Sequence, residues 1–348
     1  MELKLFMGNI KISFLNESQI PQLLDFSRSI YPERSNIEDR AFWFSFNNPF
    51  LKTESRPPVW LALDENNKIV GQFMLNNQEW HFQGITREGF FGYDFFVEES
   101  CRKTGAGALL MIKAIRKCTP FFGLGLAKDS QKMFSAGGLK VIGSLGKFLW
   151  INRIASSILH SLKYFLKRGT SFKVLAKVDF PAFLDIEGVS FKLLSDSPDS
   201  SYNDYHDPEA IEFSRSHEFL KWRFFKSKIK YYFYYCSSRE YPIYFVLRPA
   251  QRKGLNLLSI VDYKVPLGQE LLWNLILRAS KKIARLLSFD GIVTASSHVF
   301  FNQGLKDEKF FPAGKPAPIL STISTSAKPA VYFTMADADI DLNFGENQ

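Results

Sequence analysis

An α/β (α+β) fold, with two tandem units each built on a central mixed twisted sheet flanked by helices, is what this sequence predicts. Three observations carry the prediction. Short apolar strands alternate with amphipathic helices, a basic glycine loop joins an aromatic strand directly to a helix, and the element order of the first half returns in the second. At 348 residues and 46% hydrophobic content the chain is long enough to bury two cores.

A short strand is expected over 10–15. A helix over 17–31 turns Ile20, Leu23, Leu24 and Phe26 toward a core, and a second, aromatic-rich helix covers 36–47. Strands at 59–63 and 69–75 flank the hairpin signal Asp64-Glu65-Asn66-Asn67-Lys68. A strand over 89–97 leads into a loop and then a helix over 106–117. A strand over 121–126, a helix over 130–136, a stop at Gly137-Gly138 and a long strand over 139–151 complete the series.

The loop reads Phe95-Phe96-Val97-Glu98-Glu99-Ser100-Cys101-Arg102-Lys103-Thr104-Gly105-Ala106-Gly107. Gly105 and Gly107 lack the Cβ atoms that would keep a ligand off the backbone, and the first N–H groups of a helix carry partial positive charge. Arg102 and Lys103 add formal charge, so the segment is suited to a pyrophosphate. Its spacing, Arg-x-x-Gly-x-Gly, is neither the dinucleotide fingerprint nor a P-loop. The loop, with the surrounding order of elements, resembles the acyl-CoA loop of the GNAT N-acyltransferase superfamily.

That resemblance implies a GNAT domain with the acyl-CoA site over 1–153 and a degenerate GNAT-like domain over 174–348, joined by a basic amphipathic segment at 154–173. The second half offers a helix at 218–224, strands at 231–237, 243–247 and 257–265, a helix at 269–287, a strand at 291–295, a short helix near 298–305 and closing strands up to 335. At its loop, Tyr263-Lys264-Val265-Pro266-Leu267-Gly268-Gln269 carries one glycine and a proline without an N–H, so one CoA site is expected, in the first half.

The formal net charge of +9 suits an anionic ligand without choosing among CoA, a nucleotide sugar, tRNA and a lipid surface. No window reaches the roughly 20 apolar residues of a membrane span, and the first residues lack a secretory pattern, so a cytoplasmic location is expected. Cys101, Cys118 and Cys236 are too scattered for a disulfide framework or a zinc cluster, and no metal is expected. In 154–173, Arg153, His160, Lys163, Lys167, Arg168 and Lys173 interleave with Ile154, Ile158, Leu159, Leu162, Phe165 and Leu166 at helical spacing. Contact with an anionic membrane surface is one reading. An apolar face packed between the two halves is preferred, because a joint between domains falls here.

In the resembled family the strand before the loop pairs with the pantetheine arm and aims an N–H at the acyl carbonyl. The matching residues are Phe95, Phe96 and Val97; Arg102, Lys103, Thr104, Gly105, Ala106 and Gly107 would meet the pyrophosphate. The tyrosine that many members use as acid for the thiolate is replaced by Phe134. Asp94 is the first candidate base by its place on the strand, with Glu79, His81 and His298 as further candidates. Tyr202, Tyr205, Arg223 and Asp262 are candidate acceptor contacts. Phe219-Leu220-Lys221-Trp222-Arg223 and the closing Tyr332-Phe333-Thr334-Met335-Ala336-Asp337-Ala338-Asp339 resemble bacterial N-acyltransferases of surface-polysaccharide (O-antigen) pathways. The implied reaction moves an acetyl or short hydroxyacyl group from acyl-CoA to a nucleotide-linked (dTDP) deoxy amino sugar, in a monomer or homodimer without nucleic acid. A Fem-like aminoacyl-tRNA-dependent transferase and a non-catalytic CoA-binding protein are the alternatives.

Overall fold

A computed structural model describes residues 10–32, 34, 37–51, 59–166, 179–199, 204–236, 243–266, 268–269, 271–324, 329–338 and 340–341. The chain opens with β1 (Lys11–Phe14), a 3-10 turn (Glu17–Gln19), α1 (Ile20–Ile30), α2 (Ile37–Ala41) and a π-helical turn (Phe42–Phe46). Next come β2 (Val59–Leu63), β3 (Ile69–Phe82), β4 (Ile85–Val97), α3 (Glu99–Arg102), α4 (Ala106–Lys117), β5 (Phe121–Gly123), α5 (Lys128–Ala136), β6 (Lys140–Ile151) and α6 (Ile154–Phe165). β7 (Phe183–Ile186), β8 (Val189–Leu194), β9 (Ala210–Phe213), α7 (His217–Leu220), a second π-helical turn (Lys221–Phe225), β10 (Tyr232–Cys236), β11 (Ile243–Arg252) and β12 (Leu255–Lys264) follow. The last elements are α8 (Leu271–Leu286), β13 (Gly291–Ser296), α9 (Val299–Asp307), β14 (Phe311–Pro312), β15 (Ala317–Ser321), β16 (Ala330–Tyr332) and a 3-10 turn at Met335–Asp337.

These elements form two compact units. The first takes residues 1–80, 85–143 and 318–329, and the second takes 81–84, 144–317 and 330–348. The units therefore do not part after residue 153.

In the first unit Asn16 caps the opening turn in a reciprocal capping box with Gln19, and Pro21 at the start of α1 gives up an N–H that a helix leaves unpaired anyway. Leu23, Leu24 and Phe26 are buried and Ile20 is half-buried. The antiparallel run β1, β2, β3 continues into β4, beside which β5 lies parallel. β15, from near the far end of the chain, is the antiparallel partner on the other side of β5. α4 packs across β1, β2 and β4 through Ala106, Leu110, Met111, Ala114 and Ile115, joining a core with Trp60, Phe73, Phe121, Phe134 and Leu320.

Two expectations shift here. The strand expected over 69–75 runs to Phe82, so Glu79 and His81 lie on β3 and not in a connecting segment. The strand expected over 121–126 ends at Gly123.

The second unit repeats the plan. α7 and its π-helical turn match α2 and its π-helical turn, both closed by an i to i+5 bond, Asn47 N–H to Phe42 O at 2.6 Å and Lys226 N–H to Lys221 O at 2.9 Å. Each turn carries tryptophan second and phenylalanine fifth. β10, β11 and β12 are antiparallel, α8 crosses over, and β13 returns parallel to β12. β6 residues 146–151 supply the antiparallel neighbour of β13. The strands β7, β8 and β9 have no counterpart in the sequence expectation.

Buried charge organises this unit. Arg215 forms a bidentate pair with Asp262 at 2.9 and 3.0 Å and a third bond to Asp337 at 2.7 Å. Arg223 reaches Asp341 at 2.6 Å, which also accepts from Tyr231 at 2.6 Å. Lys264 pairs with Glu212 at 2.8 Å and lies 3.7 Å from Asp204. Burial raises the Asp204 carboxyl, but Lys264, His81 and Ser214 outweigh it and hold it well below the usual carboxylate range. His298 caps α9 by accepting from Phe301 N–H, and its ring stacks on Tyr332 at 3.9 Å. Burial first, and Lys264 second, push its imidazole down to about 3.

Two expected outcomes follow from this packing. A fragment of residues 1–153 lacks β15, the Leu320 core contact and the Thr322 hydroxyl that accepts from Phe121 N–H at 2.9 Å. It is expected to aggregate or melt without cooperativity; a soluble fragment whose transition matches one in the full chain overturns this. The second concerns acid. With His298 held near 3 against an ordinary value of 6.5, the unfolded chain binds the extra proton first, so stability falls as pH drops from about 6.5 toward 3. The depressed Asp204 acts in the same direction below the ordinary carboxylate value of 3.8. His298→Asn keeps a capping side chain and is expected to flatten the upper part of that loss in denaturant titrations. An unchanged slope between pH 4 and 6 refutes the assignment.

Candidate acyl-CoA site

The first unit holds the loop in a form set by local sequence. β4 and β5 pair at Phe90 with Phe121 and Phe91 with Phe122, while β4 continues to Val97 and β5 stops at Gly123. No pairing of β5 with β4 beyond Phe91 exists among the described residues. Gly92 marks the narrow point, because a Cβ there would lie 2.7 Å from Phe121 and 2.8 Å from Phe73. Beyond it the rings of Phe95, Phe73 and Phe121 close around Phe134, at 5.6, 5.8 and 5.8 Å between centroids. The strand tips are thus separated by aromatic volume.

Asp94 sits within β4 with φ +45°, a backbone state rare for a residue with a side chain. Its Oδ1 accepts from Arg34 at 2.7 Å and lies 3.6 Å from Arg40. Its backbone carbonyl accepts from the Gln72 amide of β3 at 3.3 Å, and Gln72 is fixed in turn by Ser27 at 2.7 Å. A trans peptide points its C=O and N–H in opposite directions. With the Asp94 carbonyl held by the Gln72 side chain, the Phe95 N–H of the same peptide points the opposite way.

After Val97, α3 and a short turn bring the chain to Gly105, whose φ of +81° opens α4. A Cβ at Gly105 would meet nothing within 4 Å, and one at Gly107 would rest 3.6 Å from Val97. Thr104 donates to Cys101 O at 2.7 Å and accepts from Ala106 N–H at 3.3 Å. The N–H groups of Gly107 and Ala108, in the first turn of α4, have no acceptor within the helix. Arg102 folds back, its Nε donating to Val97 O at 3.1 Å and its guanidinium lying over the Phe96 ring at 5.4 Å. Lys103 is exposed. An open cradle at a glycine, first-turn N–H groups and an unpaired strand edge fit a pantetheine pyrophosphate donor.

The candidate catalytic residues are divided between the two units. Asp94 and Glu79 lie in the first unit, Glu79 half-buried on β3. His81 lies in the second unit, with Nε2 3.2 Å from Asp204 Oδ2 and its ring stacked on His206 at 4.1 Å. His298 serves as a helix cap in that unit. Around Lys264 the structure gathers His81, through Asp204, and Tyr205, whose ring lies 5.3 Å from the Lys264 ammonium. Tyr202 falls outside the described residues. Arg223 and Asp262, expected to touch the acceptor, are fully buried and committed to Asp341 and Arg215. They hold the second unit together, since removing one partner of a buried pair strands the other charge.

Sequence reasoning missed Arg34 and Arg40, the partners of Asp94, and Asp204 and Glu212, the partners of Lys264. The repeat itself was the available signal for Lys264, which ends β12 where Val97 ends β4. At that second position the cleft is filled. Tyr263 donates to Ser296 at 2.6 Å, stacks on Phe301 at 3.8 Å and meets Trp273 edge-on at 5.6 Å. Among the described residues no group of three or more His, Cys, Asp or Glu could hold a metal. Nor is any helix among them long and apolar enough to cross a membrane.

Residues 20–130, from α1 into α5, match the Acetyltransferase (GNAT) family. No curated protein sequence matches. Among solved structures, a GCN5-related N-acetyltransferase from Anabaena variabilis ATCC 29413 is similar with a TM-score of 0.53 at 13% identity, over 92% of this chain and 74% of that one. N-myristoyltransferase of Saccharomyces cerevisiae with bound myristoyl-CoA is similar with a TM-score of 0.53 at 12% identity, over 91% of this chain and 79% of that one. At such identity these likenesses speak for the fold. The protein is thus a GNAT-fold chain, and its residues 20–130 match the Acetyltransferase (GNAT) family.

Proposed function

We propose that the chain transfers an acetyl or short hydroxyacyl group from acyl-CoA to the amine of a nucleotide-linked deoxy amino sugar, with a single donor site at β4 and α4. The observation that carries the donor half is the unpaired edge of β4 leading into the glycine start of α4. In this reading the pyrophosphate meets the N–H groups of Gly105, Gly107 and Ala108, while Arg102 and Lys103 add charge. The pantetheine lies along Phe95, Phe96 and Val97. The bound myristoyl-CoA of the similar yeast enzyme supports an acyl-CoA donor. The acceptor class rests on the likeness of 219–223 and 332–339 to sugar N-acyltransferases, and the net charge of +9 suits a diphosphate.

The neutral amine attacks the thioester carbonyl, forming the C–N bond, and the carbonyl oxygen becomes an oxyanion that accepts from Phe95 N–H. Collapse breaks the C–S bond, and the ammonium proton passes to the thiolate through water, giving amide and free CoA. Phe134 cannot donate a proton, and its position inside the aromatic core leaves no room for one. With Asp94 Oδ1 taken up by Arg34 and Arg40, its role in this reading is to fix the reversed peptide that aims Phe95 N–H, which makes it a positioning residue. Incubation with acetyl-CoA and a panel of amines, following free thiol, tests the whole reading. Turnover confined to nucleotide-linked amino sugars supports it, and turnover only with other amines, or none, overturns the acceptor assignment.

Gly105→Val is expected to weaken CoA binding more than about tenfold, since a β-branched residue at φ +81° costs about 1–2 kcal/mol and its side chain would enter the phosphate cradle. Gly107→Ala, which meets only ordinary contacts at 3.6 Å, should leave the fold intact, so lost binding there reports on the ligand. Calorimetry showing two equal sites, or unchanged affinity in Gly105→Val, contradicts the donor site.

Asp94→Asn should lower kcat without removing the acidic limb of the pH–rate profile, because the residue acts by position. Loss of that limb, with a fall of about 10² to 10⁴, would return Asp94 to the role of base. Phe134→Tyr should raise turnover no more than a few-fold and lower stability by about 1–3 kcal/mol, because its hydroxyl would be buried among three rings. Tyr93, whose hydroxyl is bonded to Ser45, is the control. A tenfold fall in Tyr93→Phe with loss of the basic limb would mean that a dedicated acid exists.

A further inference from the structure

We infer that α6 docks the protein on an anionic membrane surface. The helix lies on the second unit the reverse of the usual way round. Its polar side is the packed side: Ser156 donates to Asp290 Oδ1 at 2.8 Å, His160 Nδ1 bonds to Asp290 Oδ2 at 2.8 Å, and Ser157 is buried. Gly254, in the turn between β11 and β12, brings the backbone into contact beneath it. A Cβ there would lie 2.6 Å from His160 O and 2.8 Å from Tyr164 Cβ, so only glycine allows the approach.

The outward side is apolar. Ile154, Ile158, Leu159, Leu162, Phe165 and Leu166 are each at least half exposed. At about 100° per residue they span an arc of about 140°, centred opposite Ser156, Ser157, His160 and Tyr164. Within the second unit this face is left unpacked. An ordinary surface helix buries such an arc in its own core; leaving it outward costs stability unless another apolar phase receives it.

Charge selects the phase. Lys163 borders the stripe and is exposed, Arg153 is exposed at the start of the helix, and Lys253 is exposed in the turn that supports it. From Arg153 to Val178 the sequence has no acidic residue. A face of aliphatic and phenylalanine side chains, in a segment that carries cations and no acidic residue, matches the boundary between acyl chains and anionic headgroups, where such helices lie in the plane of the interface. A protein partner with an acidic groove is the competing occupant.

Flotation of the full chain with phosphatidylcholine vesicles, with and without phosphatidylglycerol, tests the inference. Partition onto the anionic vesicles should exceed that onto neutral ones by at least about tenfold and fall with salt. Ile158→Asp with Leu162→Asp should abolish it, while the melting temperature and CoA affinity stay unchanged, because both side chains face outward. Arg153→Gln with Lys163→Gln should weaken it a few-fold and reduce its salt dependence. Failure of the native chain to float overturns the inference. So does a dimer in solution that the double aspartate variant breaks, since the face would then belong to a second copy. A leucine-to-cysteine probe at 162 that is unreactive to maleimide in the monomer overturns it too, because the chain would then cover its own stripe.

Discussion

The site depends on one constraint: β4 and β5 stay paired for two residues and then part. Backbone N–H and C=O groups left without partners carry a free-energy penalty wherever water is scarce. Here the sequence keeps the strands from closing. Gly92 allows contact at the narrow point, and the rings of Phe73, Phe95, Phe121 and Phe134 occupy the volume beyond it. The positive φ of Asp94 then reverses a peptide at the start of the open edge, and an ion pair with Arg34, a second contact from Arg40 and a bond from Gln72 hold it there. An elongated donor with its own amide groups can complete that edge, and the glycine start of α4 lies at its end.

The second unit carries the same plan with its strand ends filled. Its meander, crossover helix and parallel strand repeat those of the first, down to the π-helical turn with its tryptophan. Where β12 and β13 would part, Tyr263, Phe301 and Trp273 fill the space and Lys264 is tied to Glu212. Pro266 removes a backbone donor from the loop. Each of these residues satisfies from within what the first unit leaves for a donor molecule. Salt bridges at Arg215, Arg223 and Lys264 sit beside its aliphatic and aromatic core.

Local signals made the first unit legible. Periodicity located α1 and α4, the Asp64 to Lys68 turn located the β2–β3 hairpin, and the glycine spacing located the loop. Long-range effects were not legible. β3 runs seven residues past its expected end because residues up to Phe82 find partners that no local pattern announces. β15 joins the first unit from nearly two hundred residues away, bonded to Phe121 through Ser321. Arg223 and Asp262 read as acceptor contacts because a charged residue in sequence invites a ligand. Their partners, Asp341 and Arg215, lie 118 and 47 residues distant, and only the fold brings them together. Amphipathicity likewise shows that α6 has two faces without showing which one the second unit packs.

The most direct measurement of the central claim is amide hydrogen exchange with and without acetyl-CoA. One donor along the open edge predicts added protection at residues 95–97 and 105–108, with the end of β12, residues 262–266, unaffected. Protection at the end of β12, equal protection in both units, or none in either would contradict it.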